Sequence, residues 1–140
     1  MTAYVDTNIF VRHLTGDPPD QAAAATRYLA EADELVLADL IVAEVAYVLE
    51  SVYNAPRADI ALRLRAILGF PAIRVADPEL LQRTVEIYDV HRLDFAEAYL
   101  IACAERSGIR VVGSFDRSID RVGTVRREIR PLARHVDQLS

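Results

Sequence analysis

The sequence predicts an α/β fold: a three-layer sandwich in which a mostly parallel sheet of four to five strands is flanked by helices. Two observations carry this prediction. Short apolar runs of strand character alternate with longer helix-forming segments along all 140 residues, and most of the junctions between them carry helix start or stop chemistry. The absence of a linker, an internal repeat or a low-complexity tail makes one domain over residues 1–140 the natural reading, because a chain of this length buries enough surface to fold without disulfides.

Taken in order, Ala3 to Val5 reads as a first strand, after which Asp6-Thr7-Asn8 supplies cap chemistry for a short helix ended by Gly16. Asp17-Pro18-Pro19-Asp20 offers a cap, a proline near the first turn and an early acid before the helix-prone QAAAATRYLAEA. Leu35 to Ala38 is the second strand, with Asp39 as cap of a helix reaching about Tyr53. Pro56 to Leu68 forms another helix, stopped by Gly69 and Pro71. Ile73 to Ala76 is the third strand, and Asp77-Pro78-Glu79 opens the next helix. Asp94 opens a further helix that Ser107-Gly108 closes. Ile109 to Val112 reads as a central strand and Ile129 to Leu132 as a last edge strand.

Composition narrows the function classes. The longest charge-free run, Ala66 to Ile73, is far short of the ~18 apolar residues of a membrane span. The N-terminus shows no basic-then-apolar signal pattern, and the single Cys103 cannot form an internal disulfide, so the expected location is the reducing cytoplasm. All 16 basic residues are Arg and none is Lys. That excludes a phosphoacceptor receiver domain and a haloacid-dehalogenase-type phosphatase, both of which need a lysine near their acids; the phosphatase also needs Asp where Asn8 stands. The net charge of −5 opposes a broad phosphate-binding surface. Locally, Arg117, Arg121, Arg126, Arg127, Arg130 and Arg134 outweigh Asp120 and Glu128. Two readings stand for that segment, a grip on a polyanion or a solvated, salt-bridged surface.

The acids are more informative. Asp6 and Asp116 each follow a strand, where sites in open α/β sheets lie. Glu44 and Glu97 interrupt helices that are otherwise nearly all apolar, and Leu40, Ile41, Tyr47 and Val48 share the face of Glu44. A carboxylate buried there has to protonate, find a donor or coordinate a cation. Asp94 and Glu97 also have the spacing of a capping box, and Asp6 and Asp116 the settings of turn or cap residues. As a group, carboxylates gathered without basic partners point to a hard cation, Mg²⁺ or Mn²⁺. His13, His91 and His135 have no ligand spacing, which argues against zinc; they and Cys103 read as structural.

In order and spacing, VDTN, the AEV glutamate at position 44, DFAEAYLIACAERSG and SFDRS resemble the PIN-domain nucleases, most closely the VapC-type toxins of bacterial toxin–antitoxin pairs, over essentially the whole chain. The resemblance implies a Mg²⁺- or Mn²⁺-dependent ribonuclease whose metal and catalytic acids are Asp6, Glu44, Glu97 and Asp116. It also implies an RNA substrate, a small VapB-like antitoxin as partner, and a homodimer. Helices around Ala22 to Leu29 and Val42 to Val52 carry apolar surface suited to a partner helix or a second subunit. Asp6 is expected at the centre, Glu44 as ligand or orienter of water, and Thr7, Asn8 and Ser114 in support. The family usually has Asp where Glu97 stands, so either Glu97 or Asp94 completes the set, and Ser114 replaces a usual Thr. The Glu97 departure leaves open the alternative of a catalytically degenerate PIN-like binding module.

Overall fold

The computed structural model describes residues 1–129. Over them the chain runs β1 (Thr2–Tyr4), α1 (Thr7–Thr15), α2 (Pro19–Glu31), β2 (Glu34–Val36), α3 (Asp39–Ser51), α4 (Arg57–Leu68), β3 (Ile73–Arg74), α5 (Pro78–Val90), α6 (Phe95–Ser107), β4 (Val111–Gly113), a 3-10 turn over Arg117–Arg121, and β5 (Arg126–Glu128). The helices begin and end close to where cap chemistry places them. Asp6 accepts from the Thr7 N–H and Asp77 from the Leu80 N–H. Gly16 and Gly108 end α1 and α6 at φ 71° and 80°, a left-handed conformation that glycine alone adopts without steric cost.

Among the described residues every strand pairing is parallel, as expected of strands joined by helical crossovers. The hydrogen bonds divide the five strands into two ladders, β1-β2-β3 and β4-β5. Leu35 stands between Ala3 and Ile73 and is buried in the core with Phe10, Leu37, Leu64, Leu81 and Ile101. The run IRVVG reads as a central strand, yet among the described residues β4 pairs with β5 alone. Val112 is buried while Ile109 is 70% exposed: apolar composition signals burial of some side chains, not strand neighbours on both sides. The last strand lies at Arg126–Glu128, just before the predicted Ile129–Leu132, whose residues from Arg130 onward lie outside the described residues, as do Arg134 and His135.

Successive helices pack in a chain. α1 lies on α2 and α3, α4 on α3 and α5, and α6 on α5, α3 and β4. Among the described residues no helix is long and apolar enough to cross a membrane. The α5–α6 packing carries a charged clasp. Arg83 donates through Nε and Nη2 to the two oxygens of Glu105 at 2.7 and 2.9 Å, and Thr124 adds a third donor to the same carboxylate. Hydrogen bonding and charge from Arg83 hold Glu105 below its ordinary 4.5. Because the folded-state value is depressed, the clasp stabilises fully above pH 4.5 and its contribution is lost as pH falls through the lower folded-state value. Glu105→Gln should therefore flatten the acid side of a stability-against-pH profile; an acid limb unchanged in the variant would remove Glu105 as its source.

Candidate functional site

β1 ends at Tyr4, and Asp6 two residues on caps α1, its Oδ1 2.8 Å from the Thr7 N–H. The same Thr7, buried, turns its hydroxyl outward and donates to Glu44 Oε2 at 2.5 Å. One residue thus ties the first strand end to the middle of α3. Glu44 itself is exposed, and its helical neighbours Leu40 and Tyr47 are 77% and 66% exposed. The desolvation argument from its apolar neighbours therefore does not apply. Those neighbours line an open cleft of about 650 Å³ instead, together with Glu44, Glu50, Asp94 and Phe95.

The second group gathers where β4 ends. Asp116 accepts from the Ser118 N–H at 2.9 Å, and its own N–H donates to Ser114 Oγ at 2.9 Å. Glu97, half-buried in the first turn of α6, lies against it. Burial first, then the hydrogen bond to Asp116 and the charges of Asp116 and Asp94, push Glu97 up to about 7. The same hydrogen bond leads the causes that bring Asp116 down to about 2. Below about pH 7 Glu97 therefore carries a proton that it donates toward Asp116, which relieves the repulsion of two adjacent carboxylates. Asp94 sits at the N-cap of α6 without a side-chain cap bond. The capping box is only half made, through the Asp94 backbone N–H acting on Glu97, and the Asp94 carboxylate stays exposed on the cleft.

The five acids thus form two groups, Asp6–Thr7–Glu44 and Asp94–Glu97–Asp116, whose Glu44 and Asp94 border one cleft. None of the five enters an ion pair among the described residues. Nor do any three His, Cys, Asp or Glu side chains there stand close enough to hold a metal ion. His13 bonds Thr26 and packs edge-on to Phe70, and Cys103 is half-buried. The apolar side chains Ala22, Ala25 and Leu29 of α2 are spent on the core, so the exposed apolar face belongs to α3, with Leu40, Tyr47 and Val52.

Three residues position this site through contacts that the sequence does not signal. Asp39 caps no helix; it is the first residue of α3, and its Oδ2 accepts from the Tyr99 hydroxyl at 2.6 Å while Oδ1 is buried without a partner. That bond joins α3, which bears Glu44, to α6, which bears Glu97, and it holds the Tyr99 hydroxyl well above its ordinary value. Tyr99→Phe should cost about 1–3 kcal/mol, because it leaves the Asp39 carboxylate unsatisfied. A double-mutant cycle with Asp39→Ala checks this, and simple additivity of the two changes would show that the bond contributes nothing. The third residue is Arg57. It reaches from α4 to donate to the carbonyls of Tyr88 and Leu93 at 2.8 and 2.6 Å, and its guanidinium lies 4.4 Å above the Tyr88 ring. Leu93 immediately precedes Asp94, so Arg57 sets the entry of α6.

The PIN domain family profile matches residues 3–125. No curated protein matches the chain. Among solved structures it is similar to the Mycobacterium tuberculosis toxin VapC20, described as cleaving the sarcin-ricin loop, at 22% identity over 92% of this chain and 99% of that one, with a TM-score of 0.42. A likeness of that degree gives this chain no function by itself. The match to the family profile, over most of the chain and over all five acids, does decide membership: the chain belongs to the PIN domain family.

Proposed function

We propose that this chain is a Mg²⁺- or Mn²⁺-dependent ribonuclease that hydrolyses RNA phosphodiester bonds, and that it serves in the cytoplasm as the VapC-type toxin of a toxin–antitoxin pair. The observation that carries the reading is a set of five carboxylates, from strand ends and helix faces, in two groups that each send one acid, Glu44 or Asp94, to the same cleft, with no ion pair to any of the five among the described residues. An all-oxygen donor set of this kind fits a hard divalent ion. Asp6, Glu44, Asp116 and either Glu97 or Asp94 would hold it. When bound, the ion would acidify a water and stabilise charge on the phosphoryl group.

The protein's own part follows from the hydrogen bonds. Thr7 fixes the Glu44 carboxylate through its hydroxyl, and the Ser118 N–H fixes Asp116. Ser114 holds the Asp116 backbone. Glu97, pushed up to about 7 by burial and by the neighbouring Asp116, is the acid of the site whose charge changes near neutrality. Asp94 adds negative charge at the rim of the cleft. With no Lys in the chain and no His in these hydrogen bonds, carboxylates supply all the titrating groups of the site.

The cleft's apolar wall, Leu40, Tyr47 and Phe95, with its acidic rim of Glu44, Glu50 and Asp94, suits an amphipathic segment bearing a basic side chain. This supports a small VapB-like antitoxin as partner, and the exposed face of α3 supports a homodimer. The test of the central reading is cleavage of a cellular RNA pool by the purified protein with Mg²⁺ or Mn²⁺, with EDTA, and with Asp6→Asn. Cleavage that needs the ion and is lost in the variant is the expected result. Measurable ion binding without RNA turnover would identify a degenerate binding module instead.

A further inference from the structure

The turn that carries Asp116 is pinned on both sides of an aromatic ring that the fold does not use. The Ser114 N–H donates to the Glu128 carbonyl at 3.3 Å, and Arg127 donates to the Ser114 carbonyl at 3.2 Å. Beyond the ring, Asp116 is tied to Ser114 and Ser118. Between these anchors Phe115 is 79% exposed. An isolated exposed apolar residue is ordinary; this one stands on a fixed backbone directly beside an acid of the site. On the other side of Asp116, Arg117 is exposed and has no hydrogen bond or ion pair among the described residues. Its neighbours all have partners: Arg121 bonds the Arg92 carbonyl, Arg126 faces Glu128, and Arg127 is paired with Asp120. A ring, an acid and an unengaged guanidinium therefore follow one another along three residues.

We infer that Phe115 and Arg117 form a substrate-positioning pair, the ring stacking on an unpaired RNA base and the guanidinium holding a backbone phosphate on either side of Asp116. The inference rests on the ribonuclease reading and assigns the base and phosphate contacts beside Asp116 to two residues; the stacking requires a base that is unpaired at the cut. Every base has a face on which an aromatic ring stacks, but in a duplex that face is covered by the neighbouring base pair. Stacking is tolerant of base identity, so the pair would select by conformation and register more than by sequence. A fixed turn suits this role, since little side-chain or backbone freedom remains to be lost on binding.

The chain contains no Trp, so Phe115→Trp places a single fluorophore at the proposed contact. In an Asp6→Asn background, which prevents turnover, a short unstructured oligoribonucleotide should quench its emission. Binding is followed separately by the anisotropy of a label on the RNA, and a fully paired duplex should quench much less. In the active protein, Phe115→Ala should raise KM about tenfold with kcat retained, and Phe115→Tyr should restore it. Arg117→Gln should reduce the salt slope of log K for a single strand by about 0.7. Bound RNA with unchanged emission, or a Phe115→Ala variant of normal KM, overturns the stacking and leaves the nuclease reading intact. Equal quenching by duplex overturns the preference for unpaired bases. Absence of any RNA binding by anisotropy overturns both the inference and the ribonuclease reading beneath it.

Discussion

Asp6→Asn should abolish RNA cleavage while leaving the fold in place. The asparagine retains a side-chain carbonyl, and so can still accept from the Thr7 N–H that starts α1, now at 2.8 Å from Oδ1. It loses the negative charge, and with it the attraction for the proposed divalent ion, whose contribution to such a reaction would be several kcal/mol. At about 1.4 kcal/mol per factor of ten, cleavage should fall on the order of a hundredfold or more. The unfolding midpoint should stay within a few degrees of the parent, because Asp6 is exposed and in no ion pair among the described residues. Full activity in the variant would remove Asp6 from the site. Loss of activity together with a large fall in midpoint would make the effect one of folding.

Arg57→Met should destabilise the fold strongly while leaving all five acids intact. Met keeps an apolar stem against Tyr88 but takes away both charge-assisted bonds to the Tyr88 and Leu93 carbonyls and the stacking over the ring. A hydrogen bond to a charged group is worth about 1.5–3 kcal/mol, and the two here share one donor group, so a loss of about 3 kcal/mol is expected. For a chain of this size that is roughly 10 °C in the midpoint. Activity should fall as well at temperatures where the variant is folded. The turn between α5 and α6 passes through Arg92 at φ 58°, a strained conformation for a side chain of that size. Arg57 at Leu93 and Arg121 at the Arg92 carbonyl hold that turn just before Asp94. Denaturant unfolding alongside cleavage rate checks the prediction; an unchanged rate in a destabilised variant would show that the entry of α6 does not position the acids.

Much of the fold could be read before any coordinates because the signals are local. Asp6 and Asp77 accept from the first turns of their helices, Gly16 and Gly108 end theirs, and alternating helices and strands imply parallel pairing. The readings that missed were those in which a local signal competes with a distant partner. Asp39 looks like a cap, but its carboxylate is taken by Tyr99 from sixty positions away. Asp94 and Glu97 have the spacing of a capping box, but the Asp94 side chain makes no cap bond and Glu97 also meets Asp116. IRVVG looks like a central strand, but its apolar side chains divide between α6 and solvent.

What the amino-acid sequence determined by itself is the class of fold and which acids follow strands or interrupt apolar helices, since these depend on composition and spacing within a few residues, together with the resemblance to a family that four motifs in order carry along the chain. The tertiary structure alone decided which of those acids touch. It tied Glu44 to Thr7 and Glu97 to Asp116, left Asp94 on the cleft, and recruited Arg57 and Tyr99 to set the helices that carry them. Hydrogen bonds act over about 3 Å between groups far apart in the chain, and no periodicity along the chain encodes which two distant groups will meet.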